Sequence, residues 1–209
     1  MRGSYRIGRI AGTDVKIHVT FLLLVAWYAF AAYSEAGAGA AVVATLVLLA
    51  LFACVLLHEF GHILMARRFG VATPDVILLP IGGVARLQRL PEEPKQEFLI
   101  ALAGPLVTLV LAVLFGVASY AAGGDPIATA IHRSDGGILA QLSALNIWLL
   151  LFNLIPAFPM DGGRVLRATL ASRMPLPRAT RVAARVGQAL AFLMAVYGIE
   201  QREWLLVLI

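Results

Sequence analysis

The chain has 209 residues, 60% of them hydrophobic and 14% charged, where a soluble domain carries about 25% charged residues. That balance excludes a soluble globular enzyme and indicates an integral membrane protein with several spans rather than several domains. The formal charge of +5 does not point to nucleic acid, because the basic residues are gathered where spans end rather than spread over one face.

The clusters are Arg2, Arg6, Arg9 and Lys16; Arg67, Arg68, Arg86, Arg89 and Lys95; and Arg164, Arg167, Arg173, Arg178, Arg181 and Arg185. Alternating with the apolar runs, all three fall on one side of the membrane. By the positive-inside rule that side is cytoplasmic. The expected location is the inner (plasma) membrane, multi-pass, with a cytoplasmic N-terminus. These arginines read as topology determinants and solvated faces. No cleavable signal is expected, since no Ala-x-Ala-like site precedes a soluble part.

A first span is predicted from about His18 to Tyr33, with Trp27, Tyr28 and Tyr33 as interface anchors. Ser34 to Gly39 forms a short outer turn. A second helix runs from about Ala40 to Phe69 and stops at Arg67-Arg68-Phe69-Gly70. Val71 to Lys95 is a cytoplasmic connection in which Val76 to Leu79 and Val84 to Leu87 flank Pro80-Ile81-Gly82-Gly83, the pattern of a hairpin or strand pair near the membrane.

A third span follows from about Glu97 to Ala121, where Ala101, Ala103 and Gly104 permit close helix contact. Ala122 to Gly137 is an outer loop. The fourth span, from near Ile138, breaks around Ile155-Pro156, because proline lacks a backbone donor and disfavours helix in the preceding residue. A basic amphipathic stretch covers Val165 to Ser172, and a fifth span about Val182 to Gly198. Trp204 to Ile209 is too short to cross alone and reads as an incomplete sixth span. The expected fold is an all-α polytopic membrane protein of about six helices with a small membrane-associated β hairpin, forming one domain over residues 1–209.

Chemistry concentrates in His58-Glu59-Phe60-Gly61-His62. On a helix, His-Glu-x-x-His puts two imidazoles four residues apart on one face with a carboxylate beside them, which suits a zinc ion and a general base. The run has only three fixed positions and arises by chance elsewhere. Its setting gives it weight, because each ionisable group in a span costs about 2.5–3.5 kcal/mol on insertion scales. At 1.5 Å per residue, His62 lies roughly 8 Å and His58 roughly 13 Å above Arg67, so the site is nearer the cytoplasm.

A catalytic zinc takes three protein ligands and leaves one position open for water. Asp161, at the broken end of the fourth span, is the third ligand by this reading, although it could instead cap a helix starting at Gly162. His18 and Asp75 are weaker alternatives; His132 and Asp135 fall on the wrong side. Cys54 is one turn before His58 on the same face, yet by default is a small buried apolar residue. Asn153 could serve only helix packing and Gly82-Gly83 only a turn.

With Leu79-Pro80-Ile81-Gly82-Gly83-Val84-Ala85, Ala103-Gly104-Pro105-Leu106 and Asn153-Leu154-Ile155-Pro156-Ala157-Phe158-Pro159-Met160-Asp161-Gly162-Gly163-Arg164, the His-Glu-x-x-His run resembles the site-2 protease family of intramembrane zinc metalloproteases. The similarity spans nearly the whole chain and is greatest to the compact six-span branch. It implies one Zn²⁺ held by His58, His62 and Asp161, with Glu59 as the base. It further implies that Asn153 and the segment around Gly82, Gly83 and Val84 hold the substrate backbone. Implied substrates are membrane-tethered proteins: anti-sigma factors, pro-sigma factors or signal-peptide remnants. Many members of this branch carry a C-terminal CBS-type regulatory pair, which is expected to be absent or truncated here.

The residues and the resemblance agree on regulated proteolysis within the bilayer. A helical substrate must unwind to present a carbonyl, and its extended segment can add to a strand edge near Val84. The lipid bilayer is an expected partner, nucleic acid is not, and self-association is left open. The competing readings are a metal transporter, for which ionisable groups should line a path rather than one depth, and an inactive scaffold, which would not need Glu59.

Overall fold

The computed structural model describes residues 3–86, 88–89, 93–132 and 136–201. Arg2, Leu87, Arg133, Asp135, Arg202 and the short terminal segment 204–209 lie outside the described residues. The chain is mostly helical with one small sheet. In chain order the elements are β1 (Ser4–Ile10), β2 (Thr13–His18), α1 (Val19–Arg68), β3 (Asp75–Leu79), β4 (Gly82–Ala85), α2 (Pro94–Ala121), α3 (Pro126–His132), α4 (Gly137–Asn153), α5 (Asp161–Ala171) and α6 (Leu176–Gln201). Among the described residues α1, α2 and α6 are long and apolar enough to cross a membrane, and α4 is apolar but shorter.

Two compact units emerge: Met1–Leu90 with Ala103–Leu150, and Pro91–Leu102 with Leu151–Ile209. In the first, α1 is two arms meeting at Gly37, whose backbone (φ 81°, ψ −172°) is not helical. That conformation is essentially restricted to glycine. The arms fold back on each other. In a straight helix Phe21 and Phe52 would be about 46 Å apart, yet their ring centroids are 4.6 Å apart, edge to face. The turn expected at Ser34 to Gly39 is therefore present.

The second arm ends as expected, with Phe69 as C-cap and the Val71 amide donating to the Ala66 carbonyl. It then packs along α2. A Cβ on Gly61 would come within 2.6 Å of the Ala103 carbonyl oxygen, so the two backbones nearly touch. Further along, Ser143 of α4 donates to the Ala112 carbonyl of α2 at 2.9 Å. The expected outer loop between α2 and α4 contains a short helix, α3, onto whose Ala130 carbonyl Trp148 donates.

The strand pair expected between 76 and 87 is β3–β4, but it belongs to a four-stranded sheet in the order β1-β2-β3-β4. β2 runs parallel to β3 and the other pairs are antiparallel. Register aligns Val15, Val76 and Ala85 in one row, and Val15 and Val76 are fully buried against Phe60 and Ile63 of α1. The N-terminal hairpin was not anticipated. Its alternation is short, and the ladder is broken by an irregularity between Arg6 and Gly8.

Asp75 pins this sheet. Its Oδ2 accepts from Lys16 Nζ at 2.6 Å and from Arg86 at 2.8 Å, and the residue is buried. Burial alone would raise its carboxyl pKa, but hydrogen bonds and charge from Lys16 and Arg86 outweigh it and hold the group below its ordinary value. These two pairs are structural, so Lys16 and Arg86 are more than the solvated topology signals expected from the sequence.

In the second unit, α5 and α6 pack through small residues, with Ala168, Ala179 and Ala183 fully buried. Glu97 of α2 accepts from Nε of Arg167 at 2.8 Å and also from its Nη2. Both side chains are withdrawn from solvent. Arg167 too was expected on a solvated face; it instead forms a buried ion pair.

Two outcomes test this description. Gly37→Ala should destabilise the protein by about 1–3 kcal/mol, although no atom would obstruct the added methyl. Gly39→Ala, equally unobstructed, should be neutral or slightly stabilising, as read by thermal unfolding in detergent. Asp75→Asn should lower the melting temperature at neutral pH. Because the native pKa of Asp75 lies below the unfolded one, its contribution is complete above about pH 4 and is lost as pH falls through the native value. The wild-type advantage over Asp75→Asn should therefore shrink on acidification below about pH 4.

Candidate metal centre

His58, Glu59 and His62 lie on the second arm of α1. Their spacing turns the two imidazoles to one side of the helix, and both rings are buried, at 4% and 6% exposure. Their Nε2 atoms are 3.1 Å apart. Tetrahedral zinc with Zn–N bonds of about 2.0–2.1 Å would hold two nitrogens about 3.3 Å apart, so the pair is already at ligand spacing.

The facing surface is Gly104 of α2. A Cβ built there would fall 2.2 Å from His62 Nε2 and 2.7 Å from His58 Nε2. Both imidazoles therefore pack directly against the Gly104 backbone, which only a residue without a side chain permits. Two buried imidazole nitrogens at ligand spacing suit a zinc ion, and any side chain at 104 would drive into them. Expecting Ala103 and Gly104 only to bring helices together understated what Gly104 does.

One turn further along α2, the fully buried Thr108 contacts the other nitrogen of His58, its Oγ1 lying 2.8 Å from Nδ1. Nothing in the sequence reading singled out this residue. The available signal was its spacing, four residues after Gly104.

Glu59 is half-buried on the flank of the pair, where β4 covers it. Gly83 shares a row with Leu78 of β3 and lies on the sheet face that carries Ala85 toward α1. A Cβ on Gly83 would meet Glu59 Cγ at 2.5 Å and Cδ at 3.2 Å. Alternation puts Gly82 and Val84 on the opposite face, and Val84 is 38% exposed. β4 is an edge strand, with Ile81 at its tip 92% exposed.

Of the other ligand candidates in this unit, His18 acts as N-cap of α1, its Nδ1 accepting from the Thr20 amide. Asp75 is committed to Lys16 and Arg86. Cys54 is buried and is not gathered with the histidines into a metal-ligating group among the described residues. Asp135 and the side chain of His132 lie outside the described residues.

In the second unit Asp161 is the first residue of α5 and is buried. Met160 occupies the N-cap position, and Asp161 is the first acidic residue inside the helix. Backbone packing fixes it. A Cβ on Gly162 would approach the Leu154 and Ile155 carbonyl oxygens to 2.4 Å, and one on Gly163 the Ala157 carbonyl carbon to 2.6 Å. The Gly-Gly pair thus lets the first turn of α5 nest inside the proline-broken loop. Arg167 stacks over Phe158 of that loop, 5.5 Å from the ring centroid, and Arg164 lies 3.8 Å from Asp161. Asn153 is the last residue of α4 and is half-buried.

Residues 46–137 and 136–194 match the family described as Peptidase family M50. A zinc metalloprotease of Methanocaldococcus jannaschii is 35% identical over 210 positions, which cover all of this chain and 58% of that protein. Stage IV sporulation protein FB of Bacillus subtilis is 32% identical over 65% of this chain and 44% of its own length. The chain thus spans little more than half the length of the first of these relatives and less than half of the second. The solved structure of a site-2 protease from Methanocaldococcus jannaschii superposes with a TM-score of 0.69 at 35% identity, covering 98% of this chain and 89% of that one. With the profile match, the shared fold and the histidine pair in agreement, the chain belongs to peptidase family M50, the site-2 family of zinc metalloproteases.

Proposed function

We propose that this protein hydrolyses a peptide bond in or near the transmembrane segment of membrane-tethered protein substrates, with one zinc per chain held by His58, His62 and Asp161. The observation that carries this reading is the pair of buried imidazole Nε2 atoms 3.1 Å apart, packed against Gly104, with a carboxylate on the same helix. Asp161 enters as third ligand because it is a buried carboxylate held in place by backbone packing. When bound, the ion would polarise a carbonyl and bring the pKa of water toward about 7.

Glu59 is the general base in this reading. Its carboxylate takes a proton from the attacking water, the new C–O bond forms at the scissile carbonyl, and the same proton passes to the amide nitrogen as the C–N bond breaks. Gly83 keeps β4 close over Glu59 without obstructing its side chain. The free edge of β4 offers backbone groups at Gly82, Gly83 and Val84 to an extended substrate segment. Asn153 provides a side-chain amide for a backbone group freed when the substrate unwinds.

A single catalytic domain of about six crossings over residues 1–209 includes the two arms of α1, then α2, α4 and α6. The basic clusters favour a plasma-membrane location with the N-terminus and the site on the cytoplasmic side. Anti-sigma factors, pro-sigma factors and signal-peptide remnants are the substrate types considered.

Metal analysis of purified protein should give one zinc per chain in the wild type and near none in His58→Ala/His62→Ala, Asp161→Ala or Gly104→Leu. Full zinc in the double histidine variant would locate the metal elsewhere. Glu59→Gln should keep zinc and lose at least 100-fold in cleavage, within the range usual for removal of a general base. Normal turnover there would falsify its role.

Gly83→Val and Asn153→Ala should retain zinc while slowing cleavage, Gly83→Val the more strongly because its side chain collides with Glu59. Cleavage by both at wild-type rates under limiting substrate would reduce these residues to packing. Loss of zinc from either would mean that the variant disturbs the metal site itself.

A further inference from the structure

We infer that Thr108 is a positioning residue that fixes the tautomer of His58, and that this is why a hydroxyl is buried in the middle of an apolar helix. The inference rests on the reading of His58 and His62 as zinc ligands. A neutral imidazole can bind a metal only through the nitrogen that lacks a proton, and the hydrogen bond made by the other nitrogen decides which one that is. Thr108 Oγ1 is 2.8 Å from His58 Nδ1. The same hydroxyl donates to the Gly104 carbonyl, four residues back on α2, at 3.3 Å.

A hydroxyl has one hydrogen. With that hydrogen directed to the Gly104 carbonyl, only a lone pair remains for His58, so Nδ1 must carry the imidazole proton and donate it. Nε2 is then unprotonated and faces Nε2 of His62, 3.1 Å away. The reverse arrangement, with Thr108 donating to Nδ1, would put the proton on Nε2 and block it as a ligand. The carbonyl that directs the hydroxyl belongs to the same glycine whose missing side chain lets both imidazoles pack against α2. Gly104 and Thr108, one turn apart, thus supply the space and the ligand orientation from a single face of α2.

Burial makes the arrangement selective. Thr108 is fully buried and His58 nearly so, so water does not compete readily for Nδ1. Outer partners of this kind typically change metal affinity by 10–100-fold when removed.

The test compares Thr108→Val, close to threonine in shape but lacking the hydroxyl, with Thr108→Ser, which keeps the hydroxyl and lacks the methyl. Zinc affinity is measured by chelator competition on full-length protein in detergent, together with the visible spectrum of the cobalt-substituted form. Positioning predicts 10–100-fold weaker zinc binding and an altered cobalt spectrum for Val, with Ser within about threefold of wild type. Packing alone predicts the opposite order, Val near wild type and Ser weaker, and that order overturns the inference. Should Thr108→Val fail to fold, Thr108→Ala against Thr108→Ser isolates the hydroxyl, since both lack the methyl; equal zinc affinities for that pair likewise overturn it. A wild type in which His58→Ala leaves zinc affinity unchanged would instead remove the ligand reading beneath it, a result separable from any outcome at Thr108.

Discussion

The closeness of α2 to the second arm of α1 is the constraint on which the rest of the site depends. Gly61 lets the Ala103 carbonyl approach to a distance that a Cβ would forbid, and the antiparallel run that follows sets Gly104 and Thr108 opposite the two histidines. In a membrane the hydrophobic effect does not drive helices together, so contact relies on small residues, close packing and buried hydrogen bonds. Here the packing surface and the candidate metal centre are the same surface. A spacing wider by one methyl group would separate Thr108 from His58 and lift both imidazoles off Gly104.

The sheet brings a second layer to the same helix face. Val15, Val76 and Ala85 rest on Phe60 and Ile63, and two residues along the same face Gly83 rests on Glu59. The position of β4 is therefore coupled to the carboxylate beneath it. Because β4 pairs only with β3 among the described residues, its placement relies on β3, which Asp75 ties to β2 through Lys16 and to the segment after β4 through Arg86. Charged groups at the sheet thereby influence how tightly Glu59 is covered.

What could be read from the sequence follows from how local each feature is. The histidine pair, the turn near Gly37, the helix stop at Phe69-Gly70, the β3–β4 hairpin and the break after Asn153 are encoded within a few residues each, by spacing or by Gly and Pro chemistry. β1 and β2 escaped notice because the parallel pairing of β2 with β3 joins residues about sixty positions apart, and the basic residues of the first segment resembled a flanking cluster. Arg167 was misjudged for the same reason: its partner Glu97 is seventy positions away. Thr108 was hidden in a different way, since one hydroxyl in an apolar helix is unremarkable until the histidine beside it is seen.

The Glu97–Arg167 pair shows what such long-range polar contacts do here. Withdrawing two charges from water costs several kcal/mol per ion, and their attraction at best roughly offsets it, so stability alone does not explain the pair. Its effect is geometric. Arg167 cannot turn toward solvent without leaving Glu97 buried and uncompensated, so its guanidinium stays where it stacks on Phe158. Phe158 lies in the loop whose carbonyls press against Gly162 and Gly163. A salt bridge that adds little net stability therefore restricts the backbone immediately before Asp161, so its effect is on where that buried carboxylate is held rather than on how stable the unit is.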